Sequence, residues 1–157
     1  MRLLIIRHGE IQNFSPDEKG PSLSQGGKQD LAKVRDFLKL QKVIPHRLLS
    51  SPARRALETA EILNKLWSLP VEEVSWLRPG VSVSEIEASL LRENTQTQEI
   101  LALVSHQPAL GYFLSNLLWQ EKKPAFDLSR GSSIFLDYDP IKSQAKIHWM
   151  VSPYLLA

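Results

Sequence analysis

The chain has no cysteine, so it can form neither a disulfide framework nor a thiolate site. Long hydrophobic runs are missing as well. No segment approaches the ~18 consecutive apolar residues that mark a membrane span, and the apolar part of MRLLIIRHG at the start is too short for a secretory signal. A soluble, cytoplasmic protein is the expectation, with no membrane partner. Charge of one sign is also scarce. Nineteen lysines and arginines face 17 aspartates and glutamates, a formal net charge of +2, a balance that marks no basic binding face, so nucleic acid is not an expected partner. The four histidines show no metal-ligand spacing, and neither a metal nor another cofactor is expected.

What is present is an ordinary globular composition, 43% hydrophobic and 23% charged over 157 residues, enough to bury one core. A single domain over residues 1–157 is expected. Leu3 to Ile6 reads as a strand buried on both faces. Ser24 is a candidate cap for a helix carrying Leu31, Val34 and Leu38. Arg47 to Ser50 is a second strand candidate. Ser51-Pro52 has the form of an N-cap and first helical residue, ahead of a stripe of Ala56, Ala60, Leu63 and Trp67. Val71 to Trp76 is a weaker strand. Ser84 and Glu87 have capping-box spacing, with Ile86 and Leu90 behind them. Residues 99–104, EILALV, form another buried strand, and Pro108 begins a helix with Leu110, Phe113, Leu114 and Leu117. Ser132 to Tyr138 and Lys146 to Val151 alternate as a terminal antiparallel hairpin. The alternation of strand and helix predicts an α/β fold. The expected form is a three-layer α/β/α sandwich, its sheet mostly parallel and ending in that hairpin.

In open α/β sheets ligands bind beyond the carboxyl ends of the strands. Three such ends carry polar groups here: Arg7-His8-Gly9, Ser50-Ser51 and Ser105-His106. Arg55 falls in the first turn of the helix after Ser51, where free N–H groups and the helix dipole favour an anion. Within these motifs only Glu10 is acidic. An unpaired cation is costly to bury, so a phosphate is the expected partner of Arg7, His8, Arg55 and His106. Arg54 is expected to pair with Glu58 along its helix. His46 and His148 lie in no motif and are expected to be structural or exposed.

RHGE, SPARRALET and SHQP resemble, in that order, the defining segments of the histidine phosphatase superfamily. LLIIRHGE followed by SLSQGG is similar to its first strand and helix start. The length and the ending HWMVSP look most like the small SixA-type phosphohistidine phosphatases. The resemblance implies that His8 is the nucleophile and forms a phosphohistidine that water then hydrolyses. It implies that Arg7 and Arg55 hold the phosphoryl oxygens, that His106 completes the pocket, and that Gly9 and Glu10 border the substrate. A neutral nucleophilic imidazole needs one ring nitrogen fixed as a donor, and a backbone carbonyl is expected to do this. The expected substrate is a phosphohistidine-containing protein such as a phosphotransfer domain. The alternatives are a phosphatase for small phosphate esters and a non-catalytic phosphate- or phosphoprotein-binding module. Two departures stand out: Pro21 and Ser22 in GPSLS, and Leu77 and Arg78 in SWLRPG, where larger relatives place an acid. Glu10, Glu85 and Glu87 are the nearest substitutes. Residues 68–105 are taken up by strand, helix and strand, so no cap domain is expected.

Overall fold

The computed structural model describes residues 1–93, 98–120 and 126–157. Its elements follow the order β1 Arg2–Arg7, α1 Gln25–Leu40, β2 Arg47–Ser50, α2 Arg54–Asn64, β3 Val71–Glu73, α3 Val83–Arg92, β4 Ile100–Ser105, α4 Ala109–Trp119, β5 Ser133–Asp139 and β6 Gln144–Val151. The six strands form one sheet in the order β3-β2-β4-β1-β5-β6. β1 to β4 pair in parallel, whereas β5 runs antiparallel to β1 and β6 antiparallel to β5.

β1 explains why its sequence lacks polar alternation. Leu3 and Ile5 join one apolar cluster, with Leu110, Phe113 and Leu114 of α4 and Ile86 and Leu90 of α3. Leu4 and Ile6 join the other, with Val34 and Leu38 of α1 and Ala56, Ala60 and Leu63 of α2. A strand covered by helices on both sides must be apolar on both. The three layers of the expected sandwich are therefore present. Among the described residues no helix is long and apolar enough to cross a membrane.

α1 starts as expected, with the Ser24 hydroxyl accepting the Gly27 N–H at 3.0 Å. Other boundaries differ. α2 begins at Arg54 with Ala53 as its cap residue, not at Pro52 after Ser51. Ser51 is fully buried, and its hydroxyl accepts the Ala53 N–H at 3.2 Å within the turn before the helix. That stripe ends at Leu63. Trp67 lies beyond the helix, half-buried, and donates its indole N–H to the Val43 carbonyl at 2.9 Å. α3 is capped by Ser82, which accepts the Glu85 N–H at 3.2 Å, and not by Ser84. β3 stops at Glu73, and Ser75–Leu77 form a 3₁₀ turn that sinks Leu77 into the core. Arg54 pairs with Asp17 instead of Glu58, whose carboxylate accepts the Leu23 N–H at 2.9 Å.

Candidate active site

The strand register assembles the site. β1 and β4 are neighbours with Arg7 opposite Ser105, so His8 and His106 leave the sheet side by side, their ring centroids 5.0 Å apart. β2 lies on the other side of β4 with Ser50 opposite Val104, which brings Ser51 to His106. The Ser51 hydroxyl and His106 Nε2 are 2.6 Å apart, and both residues are buried. His106 Nδ1 is buried with no partner among the described residues.

His8 Nδ1 lies 2.8 Å from the carbonyl of Gly9. A carbonyl can only accept, so Nδ1 carries the proton and Nε2 keeps its lone pair. This is the backbone lock expected from the sequence. The Gly9 N–H in turn donates to Thr59 Oγ1 at 3.1 Å, and the Thr59 hydroxyl donates to the Arg55 carbonyl at 2.7 Å. One threonine thus couples the His8 loop to the first turn of α2. Its position four residues after Arg55 in SPARRALET is the only trace of this role in the sequence.

Arg7 donates through Nη1 to the Leu128 carbonyl and lies 3.5 Å from the Asp127 carboxylate, while its Nε is buried with no partner among the described residues. Arg55 is half-buried and has no acidic partner within 4.0 Å among the described residues. An open groove of about 330 Å³ borders it, between Lys19, Gly20, Pro52 and Pro79. Burial lowers the pKa of both guanidinium groups, yet arginine stays charged at any working pH. Both imidazoles are held neutral. Burial, opposed by the Gly9 hydrogen bond and aided by the charges of Arg55, Arg7 and Arg130, depresses His8 to about 4. Burial, then His8, Arg55 and Arg7, depresses His106 to about 3. The pocket therefore offers a neutral imidazole with a free ring nitrogen beside two arginine charges, an arrangement suited to a tetrahedral oxyanion.

The other candidates lie elsewhere. Glu10 accepts from the Ser24 hydroxyl at 2.8 Å and is tied to the start of α1. Glu85 is held by Arg78 at 2.7 Å. Glu87 accepts from Asn116 and Ser143, each at 2.6 Å, on the α4 side. His46 accepts the Ile100 N–H at 3.1 Å, and His148 lies 2.9 Å from Asp137. Sequence reasoning missed Ser51 as a partner of His106, the Leu128 carbonyl on Arg7, and Arg130. All three depend on contacts between distant segments.

Fold and pocket together resemble those of the histidine phosphatases. The model of the histidine phosphatase superfamily (branch 1) matches residues 3–79, the part of the chain that carries His8 and Arg55. Within that superfamily the similarity is to the small SixA type. The phosphohistidine phosphatase SixA of Escherichia coli (strain K12) is 28% identical over 155 residues, covering 98% of this chain and 94% of that protein. The structure of the protein histidine phosphatase SixA complexed with tungstate superposes with a TM-score of 0.85 at 26% identity, over 99% of both chains. A putative SixA from Agrobacterium tumefaciens shares the fold, with a TM-score of 0.79 at 18% identity over 97% of each chain.

Proposed function

We propose that the chain hydrolyses protein phosphohistidine through a covalent intermediate on His8. The observation that carries this reading is the Gly9 lock: with Nδ1 donating to a carbonyl 2.8 Å away, the free nucleophile is Nε2. Nε2 attacks phosphorus in line, and the bond from phosphorus to the substrate's imidazole breaks, that ring leaving neutral with the proton it already carries on its other nitrogen. The phosphorylated His8 ring keeps its Nδ1 proton, which makes it a good leaving group. Water then attacks the same phosphorus, and both of its hydrogens depart with inorganic phosphate or go to solvent. His8 returns to its neutral form.

Arg7 and Arg55 supply fixed positive charge to the phosphoryl oxygens, where phosphoryl transfer most needs the protein. The Ser51 hydroxyl already accepts from Ala53; its own proton goes to His106 Nε2, leaving Nδ1–H of His106 as a buried donor for a third oxygen. Tungstate, the ion complexed with SixA, is a tetrahedral oxyanion shaped like phosphate. α3, the helix between β3 and β4, packs on the sheet through Ile86 and Leu90, and the groove beside Arg55 is lined by Lys19, Gly20, Pro52 and Pro79, not by α3. Such a mouth suits a phosphohistidine exposed on a folded protein, for example a phosphotransfer domain.

The leaving group fits as well. An alkyl ester expels a basic alkoxide and benefits from a positioned acid by roughly 10²–10⁴-fold, whereas imidazole is far less basic. Glu10, Glu85 and Glu87 are engaged elsewhere. The test offers the protein a phosphohistidine protein, an alkyl phosphate and an aryl phosphate, quenches without acid, and locates the phosphoryl group by mass spectrometry. Phosphate release should rank phosphohistidine first, aryl phosphate second and alkyl phosphate last, with label on His8 and no turnover in His8→Ala. Faster cleavage of the alkyl ester, or activity surviving His8→Ala, refutes the proposal.

A further inference from the structure

The segment that enters β5 carries a third arginine to the same rim. Ser129 to Ser132 form a turn closed by the Ser132 N–H donating to the Ser129 carbonyl at 3.1 Å. Arg130 stands at its second position and Gly131 at its third, with a φ of +78° that favours glycine. The turn is pinned to the site at two points. The Gly131 N–H donates to the His8 carbonyl at 2.9 Å, and the Arg7 N–H donates to the Ser132 carbonyl at 3.0 Å. A hydroxyl chain fixes it further, with Ser129 2.6 Å from Ser132 and 2.8 Å from Ser152. Arg130 is therefore held beside His8 by backbone geometry, although its own side chain is exposed. Its charge reaches the pocket, since it helps lower the pKa values of both His8 and Arg7.

We propose that Arg130 is a docking residue for the substrate protein, engaging a carboxylate on the surface beside the phosphohistidine. The inference rests on the phosphohistidine reading above and adds what the carrier must present. On that reading Arg7, Arg55 and His106 take the three phosphoryl oxygens. Arg130 lies outside them and meets the carrier, not the phosphoryl group. Among the described residues no acid lies within 4.0 Å of it: the nearby Asp127 is set against Arg7. An exposed cation without a partner, rigidly placed at the mouth, is complementary to an acidic patch and acts mainly on encounter and its salt dependence.

The experiment compares kcat/KM for a histidine-phosphorylated phosphotransfer protein and for phosphoimidazole, in wild type, Arg130→Ala, Arg130→Glu and Arg130→Lys. The carrier is used both intact and with the carboxylates flanking its histidine neutralised. With the intact carrier, Arg130→Ala should lose roughly 3–5-fold and Arg130→Glu on the order of 10-fold. The loss should appear in KM and shrink as ionic strength rises, and Arg130→Lys should recover most of it. The protein-to-phosphoimidazole ratio should fall with it, and neutralising the carrier's carboxylates should abolish the difference between wild type and Arg130→Ala. Equal losses on both substrates would put Arg130 on the phosphoryl group and overturn the inference alone, as would no loss on either. A wild-type enzyme that cleaves phosphoimidazole but leaves the phosphoprotein untouched overturns the substrate reading, and this inference with it.

Discussion

Two neutral imidazoles buried side by side make the protein's stability a function of pH, in a window that carboxylates alone do not produce. An unfolded histidine titrates near 6.5, whereas His8 is depressed to about 4 and His106 to about 3. The folded pKa values lie below the unfolded ones, so between them the unfolded chain binds more protons and stability rises with pH. Stability is complete above the unfolded value and is lost as the pH falls through 6.5 towards 4. At about pH 4.5 the unfolded state carries nearly two protons on these groups and the folded state only about a quarter of one on His8. The resulting loss relative to about pH 7 is roughly 5 kcal/mol, a large share of the ~5–15 kcal/mol that holds a domain together. Urea denaturation at a series of pH values, in chloride without phosphate or sulfate, measures it. The His8→Asn/His106→Asn double variant supplies the control, and the single His8→Asn variant should show about half the effect. Carboxylates such as Glu72, depressed by its hydrogen bonds to Arg47, lose stability only at lower pH, and equally in every variant. If wild type and the double variant fall in parallel between about pH 6.5 and about 4.5, the two histidines are not held neutral and the assignment of a free Nε2 loses its electrostatic basis.

Other substitutions probe single contacts. Arg55→Ala should fold normally and lose roughly 10²–10³-fold in turnover, as removal of a charge-stabilising donor does; a large fall in Tm with turnover intact would instead make Arg55 structural. Ser51→Ala leaves His106 Nε2 and the Ala53 N–H without their partner and should cost about 1–3 kcal/mol in urea denaturation, with turnover reduced. Gly111→Ala would place a methyl carbon 2.2 Å from the Phe126 carbonyl oxygen. The segment it displaces leads to the Leu128 carbonyl that holds Arg7, so stability should fall by about 1–3 kcal/mol and turnover with it. Tungstate or inorganic phosphate should raise Tm in wild type, through linkage worth about 2.7 kcal/mol at a hundredfold excess over Kd, and much less in Arg55→Ala.

The parts of the fold that the sequence made legible are those governed by local physics. β1, β2 and β4 are short apolar runs because both of their faces are covered, and that cause is visible in one dimension. The failures come from competition between equally good local signals. Ser82 and Ser84 each have a glutamate three residues later, so both satisfy the capping-box pattern. The choice goes to Ser82 because Val81, just outside the helix, and Ile86, at its fourth position, share one apolar cluster and staple the entry. Ser51-Pro52 reads as a helix start for the same local reason, but the Ser51 hydroxyl is drawn to His106, 55 positions away. Arg130 could not be found from its neighbours at all. Nothing in SRGS announces a site, and only the pairing of β5 with β1 places that turn against His8.

Register, more than any single residue, makes the pocket. β4 sits between β1 and β2, and its last residues are opposite Arg7 on one side and Ser50 on the other. The His8 N–H donates to the Ser105 carbonyl at 3.2 Å, and the Ser51 N–H to the Val104 carbonyl at 2.9 Å. The two ladders thus run one residue past the strands and bind the nucleophile's backbone and the His106 partner to the same carboxyl end. Because side chains alternate across a sheet, a one-residue slip of β4 would turn His106 away from His8 and move Leu101 and Leu103 from one core to the other. That slip is forbidden by the apolar layers on both faces, each of which needs its own set of β4 side chains. The hydrophobic pattern that builds the sandwich is therefore also what holds two histidine rings 5.0 Å apart at its edge.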